Sequence, residues 1–214
     1  MIISVWQRSV LIAVVILVVL PLPPVTRVLQ ARMVTQMLVQ IPLLIAAGYL
    51  LRAALPQRPV TTIAAWNLNG ISGLLLATFA TAFWMLPRSL DAAATEPLVT
   101  LAKFLSVPLL IGLPMALSWP RMNFVVRGVF LVELIAMFFR LGWLYMISPI
   151  RLCNNYLLDD QQRSGQYLLM IGGAILLWVA AKLMWGHFDL LQREPQAAPA
   201  HQHNASGIRH PAER

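Results

Sequence analysis

Residues 166–186 read QYLLMIGGAILLWVAAKLMWG, a run in which Lys182 is the only charged side chain. A helix that crosses the hydrocarbon core of a bilayer needs about 20 mostly apolar residues. This run therefore predicts a transmembrane helix. The polar stretch DDQQ at 159–162 lies just before it, at the edge of the predicted bilayer.

The composition extends this prediction to the whole chain. Apolar residues make up 59% of the 214 residues and charged residues 11%, and the mean hydropathy is +0.71. A soluble domain usually carries about 25% charged residues. We therefore predict an all-α, polytopic transmembrane helix bundle. Its candidate spans are roughly 9–29, 33–52, 69–86, 99–118, 123–147 and 166–186.

The predicted bundle occupies residues 1–189. Arg8 precedes the first apolar run, which ends in PLPP, and we interpret this run as an uncleaved anchor. Residues 190–214 are polar, rich in Pro and Ala and without periodicity, so they predict a disordered tail.

Charge and cysteine usage exclude several classes of protein. The net charge is +8, but the arginines are scattered at the ends of apolar runs, where they meet lipid headgroups. No basic patch forms, so we expect the lipid bilayer as a partner and no nucleic acid. Cys153, the only cysteine, excludes an internal disulfide. No nucleophile–base arrangement, phosphate loop or dinucleotide fingerprint occurs, and we expect no enzyme.

The distribution of basic residues predicts the orientation. A cytoplasmic N-terminus places seven basic residues inside and five outside, which favours cytoplasmic N- and C-termini. The inner set is Arg8, Arg52, Arg58, Arg121, Arg127, Lys182 and Arg193, and the outer set is Arg27, Arg32, Arg88, Arg151 and Arg163. On this interpretation DDQQ faces outward.

Three charged residues fall inside predicted spans: Lys103, Glu133 and Arg140. Such charges are costly in lipid and usually face the bundle interior. Lys103 lies near the outer end of its span and either extends to the headgroups or lines a buried polar site. Glu133 and Arg140 share a helix face and form either a structural pair or part of that site.

The second span carries Gln36 and Gln40 on one face, with Met33 and Met37 beside them. Glutamines in spans commonly form hydrogen bonds between helices. Methionine thioethers suit copper(I), but methionine more often serves packing.

The DDQQ stretch has two interpretations. Asp159 or Asp160 can cap the last helix and complement its dipole. Alternatively, Asp160, Gln161 and Gln162 form one wall of a polar cleft. Gly165, which follows, allows another helix to approach closely.

Four stretches in order along the chain carry a resemblance: ARMVTQMLVQIPLLIAAG at 31–48, FWMLPRSLDAA at 83–93, PLVTLAKFLSVPLLIG at 97–112 and LDDQQRSGQ at 158–166. Each resembles a segment of the CtaG-type cytochrome c oxidase assembly factors. The resemblance implies a multi-pass protein of a bacterial inner membrane that assists biogenesis of a respiratory oxidase, with oxidase subunits as partners.

The departures from that family concern its metal ligands. Where the family carries histidines, this chain has Arg32, Gln36, Met85, Thr100 and Phe104, and Lys103 replaces an acidic residue. Because like charges repel, Arg32 and Lys103 disfavour a bound copper ion. We therefore expect no cofactor.

These observations predict an outward-facing polar cleft, in which Asp160 balances Lys103 or Arg140. Its residues are Arg32, Gln36, Gln40, Lys103, Glu133, Arg140, Asp160, Gln161 and Gln162. Two alternatives to an assembly factor stay open. One is an accessory subunit docked on a membrane enzyme complex, and the other is a small transporter with a cationic cleft.

Overall fold

The computed structural model describes residues 5–56, 67–153 and 155–185, and every regular element within these ranges is helical. The predicted all-α class is thus confirmed, whereas the predicted tail at 190–214 lies outside the described residues. We number the helices in chain order. They are α1 Val5–Val19, α2 Pro23–Gln30, α3 Met33–Ala54, α4 Ile71–Trp84, α5 Pro87–Thr95, α6 Pro97–Arg121, α7 Phe124–Ile147 and α8 Leu158–Met184.

Three of these helices are long and apolar enough to cross a membrane: α3, α6 and α8. The number rises to five if each of two bent helix pairs, α1–α2 and α4–α5, counts as one span. The predicted six spans are therefore not confirmed. The helix that is not among these five candidates is α7, a single helix of 24 residues that carries Arg127, Glu133 and Arg140.

Prolines explain both bends. The predicted span 9–29 breaks between α1 and α2, where the chain turns by 79° and Pro23 opens the second helix. The predicted span 69–86 continues beyond a 68° bend into α5, which Pro87 opens. Proline lacks an N–H donor and suits the first turn of a helix, so a new helix direction begins at each proline.

The last helix extends beyond the predicted span 166–186. It starts at Leu158, so the DDQQ stretch lies inside the helix, and no side chain caps it at Leu157. Asp159 and Asp160 occupy its first turn, where negative charge is favoured by the helix dipole. Asp159 also pairs with Arg163 one turn later, at 2.9 Å, on the exposed surface. These local interactions extend the helix beyond its apolar run.

Glycines set the closest helix contacts. A Cβ atom on Gly48 of α3 would lie 2.2 Å from the carbonyl O of Pro108 in α6, and one on Gly112 would lie 2.3 Å from the carbonyl O of Ile45. Helices α7 and α8 also approach closely, since a Cβ atom on Gly165 would lie 2.7 Å from the carbonyl O of Gly142. The close approach predicted at Gly165 is therefore confirmed, and small residues let these backbones touch.

Each of the paired helices α3 and α6 contains one widened, π-helical turn. These turns span Gln36–Gln40 and Val107–Gly112. Pro42 follows the first turn closely and Pro108 lies within the second, and proline removes a helical hydrogen bond. Such turns shift the side chains that follow them and often occur at functional sites.

Candidate functional site

The centre of the site is the amino group of Lys103. Lys103 is 0% exposed, and its Nζ donates a hydrogen bond to Oε1 of Gln40 at 2.8 Å. The amino group also lies 5.5 Å from the centroid of the Phe104 ring. Within the described part of the chain, Lys103 forms no ion pair with a carboxylate. Of the two sequence interpretations, the structure places Lys103 inside the bundle.

Gln40 is also 0% exposed, and its Nε2 atom has no hydrogen-bond partner among the described residues. The Gln40 amide oxygen therefore accepts a hydrogen bond from Lys103, while the Gln40 NH2 group donates to none of the described residues. A lysine ammonium group has three donors, and only one of them has an acceptor in this pair. The centre of the site thus holds more hydrogen-bond donors than acceptors.

A second group surrounds Tyr156, which lies in the segment between α7 and α8. Its hydroxyl group contacts Oε1 of Gln36 and lies 3.1 Å from the carbonyl O of Gln30. Gln36 Nε2 donates to the carbonyl O of Leu90 at 3.3 Å. Tyr156 therefore ties α2, α3 and α5 to the segment that precedes α8.

Gln161 connects α8 to the end of α7 and to the segment that follows α7. Its Oε1 accepts from the backbone N–H of Leu152 at 2.9 Å, and its Nε2 donates to the carbonyl O of Tyr145 at 3.4 Å. The Tyr145 hydroxyl group donates to the carbonyl O of Met85 at 3.1 Å. This set and the two groups above form what we call the polar core: Gln36, Gln40, Lys103, Tyr145, Tyr156 and Gln161.

Asp91 of α5 is an acidic residue that contacts the segment carrying Tyr156. Its Oδ1 accepts from the backbone N–H of Asn155 at 2.9 Å, and its carbonyl O accepts from the Asn155 side chain at 3.2 Å. Burial raises the pKa of Tyr156, and Cys153, Asp91 and Asp160 add to this effect. Tyr156 therefore stays neutral and keeps its proton for hydrogen bonding.

The predicted cleft residues fall into separate groups. Gln36, Gln40, Lys103 and Gln161 are buried in the polar core, whereas Arg32 is exposed and Asp160 and Gln162 are half-buried. Glu133 and Arg140 pair with each other on an exposed face. Among the described residues, Asp160 forms no ion pair with Lys103 or Arg140, so contacts give no support to the predicted charge balance.

Sequence reasoning missed Tyr145 and Tyr156 as members of the site. Both are nearly or fully buried, at 0% and 4% exposed. A usable signal was present, because a buried tyrosine hydroxyl group requires a hydrogen-bond partner. Tyr156 lies just before α8, the helix that contains DDQQ. Tyr145 lies one helical turn after Leu141 and packs next to Gly165.

The six residues of the polar core include no imidazole, thiol or thioether side chain. A copper ion requires several imidazole, thiolate or thioether ligands. Within the described ranges, no group of three or more His, Cys, Asp and Glu side chains is placed to hold a metal ion. Lys103 adds a buried amino group to this core, and a protonated amino group repels a cation.

Cys153 is expected to react slowly with N-ethylmaleimide in intact membranes at about pH 8. The thiol is buried and donates to the carbonyl O of Pro87 at 3.3 Å. Burial, and after it the Asp91 carboxylate, raises the pKa of Cys153 to about 11. Because the thiolate is the reacting species, labelling should accelerate as the pH rises toward that value. Protein unfolded in detergent is the control, and equal rates in both states at about pH 8 would contradict the buried position.

The fold and the site define the class of this protein. Its described residues form an all-helical membrane protein with three to five candidate spans and a buried polar core between the helices. The chain matches no protein-family model, no curated protein and no solved structure.

Proposed function

We propose that this protein assists the biogenesis of a respiratory oxidase in a bacterial inner membrane, as a helical scaffold and not as a copper carrier. Both termini lie in the cytoplasm in this proposal, as the distribution of basic residues indicates. The partner subunits are recognised within the bilayer, because the described loops between the helices are short.

One observation carries the proposal. The four stretches that resemble the CtaG-type factors are far apart in the sequence, yet hydrogen bonds link each of them to another part of the bundle. Gln40 and Lys103 join the first and third stretches, and Gln36 reaches Leu90 of the second. Gln161 of the fourth stretch bonds Tyr145, whose hydroxyl group bonds Met85 of the second. These contacts between the four stretches support the proposal, because the residues that carry the resemblance are also the residues that link the helices.

The chemistry of the core supports the second half of the proposal. Lys103 stands where the resembled family carries an acidic residue, and Gln36 and Met85 stand where it carries histidines. A buried lysine repels a cation but stabilises a polar helix interface through hydrogen bonds. In this proposal the chain keeps the helical scaffold of the resembled family, and residues that pack the helices occupy the positions of that family's metal ligands.

A stable accessory subunit is the second candidate, and the Glu133–Arg140 pair favours it. The Arg140 side chain is more than half exposed and the Glu133 side chain is half exposed. Both lie on α7, which packs beside the candidate span α8. An exposed ion pair within a bilayer is costly unless protein covers it. A permanent partner helix would supply that cover.

Deletion of the encoding gene is expected to lower the amount of assembled respiratory oxidase in isolated membranes, and the wild-type gene should restore it. Blue-native electrophoresis and oxidase activity measure the effect. The purified protein without residues 190–214, which contain His201, His203 and His210, should bind no stoichiometric copper(I). Normal oxidase assembly in the deletion strain would refute the proposal. Permanent co-purification with the mature oxidase would select the accessory subunit instead.

A further inference from the structure

The Glu133–Arg140 pair lies in the middle part of α7, away from both ends of the helix. At about 1.5 Å per residue, Glu133 lies roughly 14 Å and Arg140 roughly 24 Å along a helix of roughly 36 Å. Helix α7 packs along the candidate span α8, with Gly142 against Gly165 and Phe138 against Gly172. Both charged residues therefore lie beside the apolar run of the candidate span α8.

The pair does not face the interior of the bundle. The side chains of Arg140 and Glu133 are 65% and 50% exposed. Arg140 NH2 bonds one Glu133 oxygen, and Arg140 Nε bonds the carbonyl O of Ala136 at 3.3 Å. One carboxylate oxygen and further guanidinium N–H groups have no partner in the described structure. These groups offer an acceptor and donors side by side.

A cleft of about 400 Å³ opens beside the pair, between α4 and α7. Thr78, Thr81 and Met85 form one wall, and Phe130 and Met137 form the other. Its floor consists of apolar side chains from α3 and α6, including Ile45 and Ile111. The cleft is too small for a whole helix but has room for one or two side chains of a helix that lies across it.

A lipid acyl chain fills the apolar part of this cleft but offers neither a donor nor an acceptor to the charged pair. The complementary group donates to a carboxylate and accepts from a guanidinium group at neighbouring positions. A carboxamide does both with one planar group, because its NH2 donates and its oxygen accepts. Polar side chains of this type commonly link transmembrane helices.

We propose that the cleft and the Glu133–Arg140 pair form a docking site for a transmembrane helix of a partner subunit. The partner helix inserts an Asn or Gln side chain into the cleft, and this side chain hydrogen-bonds to both charged groups. The identity of the partner as an oxidase subunit rests on the proposed function, whereas the docking chemistry rests on the cleft.

Photo-crosslinking in native membranes tests this site with the full chain. A benzophenone amino acid replaces Thr78 in the cleft wall, and the control probe replaces Met170, which is 68% exposed on α8. The Thr78 probe is expected to capture one polypeptide, with the crosslink mapped by mass spectrometry to an apolar span containing Asn or Gln. The Met170 probe should not capture it.

The double variant Glu133→Leu/Arg140→Leu should lower that crosslink about three- to tenfold, the range expected for interhelical polar contacts. Its membrane abundance should equal or exceed that of the wild type, because it removes charges from lipid. The swap Glu133→Arg/Arg140→Glu keeps the internal pair and is the matched control for stability. It should keep membrane abundance but also lower the crosslink, because it moves each charged group to the other position.

Crosslinks to lipid alone, to a second copy of this chain, or to a span without Asn or Gln would overturn the docking site. An undiminished crosslink in the Leu/Leu variant would do the same. Capture of the expected helix from a protein that is not an oxidase subunit would support the docking site and refute the proposed function. Lipid-only crosslinks together with lost oxidase assembly in the deletion strain would refute the docking site alone.

Discussion

The Gln40→Leu variant is expected to accumulate in the membrane at a small fraction of the wild-type level. Among the described residues, the Gln40 Oε1 atom is the one hydrogen-bond acceptor of Lys103 Nζ, and leucine removes it. A buried donor that loses its acceptor costs about 1–3 kcal/mol, and more if the donor is charged. This cost is a substantial part of the roughly 5–15 kcal/mol by which folded domains are usually stable. Quantitative immunoblotting of membranes and thermal unfolding in detergent measure the loss.

The double variant Gln40→Leu/Lys103→Met is the control for this prediction. It replaces both members of the buried pair with apolar side chains of similar size, a change that is often neutral or stabilising. Its abundance should return to the wild-type level or above. If Gln40→Leu accumulates normally, or if the double variant is no better than the single one, the two residues are not energetically coupled.

The double variant also separates folding from function. A protein that accumulates normally without the pair, yet fails to restore oxidase assembly in the deletion strain, would show a role for Lys103 beyond stability. Restored assembly would show that the pair is a packing element, as the scaffold proposal holds.

Gly48→Ala is expected to have the second large effect and to abolish most of the folded protein. The added Cβ atom would lie 2.2 Å from the Pro108 carbonyl O, a backbone atom that moves only if α3 and α6 separate. Overpacking of a close contact costs about 1–3 kcal/mol, and more where backbone must shift. Separation of α3 and α6 would also pull Gln40 away from Lys103. Size-exclusion chromatography of a fluorescent fusion, extracted in mild detergent, measures the folded fraction.

Gly128→Ala in α7 is the matched control for this substitution. A Cβ atom at Gly128 would meet nothing within 4 Å, and alanine favours a helix over glycine by about 1 kcal/mol. The control variant should therefore be at least as stable as the wild type. Equal behaviour of the Gly48 and Gly128 variants would contradict the close contact between α3 and α6.

The helices themselves were largely predictable. Long apolar runs predicted α3, α6, α7 and α8 because bilayer thickness sets the length of a spanning helix. The prolines at the bends are visible in the sequence, but the first and third runs were predicted as single spans. Pro23 and Pro87 each open a new helix, so the two runs change direction by 79° and 68°.

The site was predicted in part. Gln36, Gln40, Lys103 and Gln161 were recognised as polar residues in or beside spans, and the structure brings them into one buried core. Tyr145 and Tyr156 were missed because their roles depend on carbonyl groups that folding places near them. Arg32 and Asp160 were included on the basis of membrane depth, but depth does not determine the direction in which a side chain points.

The sequence by itself determined the class of this protein, because its apolar runs must satisfy their backbone hydrogen bonds within helices in a bilayer. It also determined that Glu133 and Arg140 share a helix face, because their spacing equals two helical turns. The tertiary structure alone decided which faces are buried. Close contact at Gly48 and Gly112 turns α3 and α6 so that Gln40 meets Lys103 inside the bundle. The packing of α7 on α8 instead turns the Glu133–Arg140 pair outward, because helix rotation is fixed by packing partners and not by local sequence.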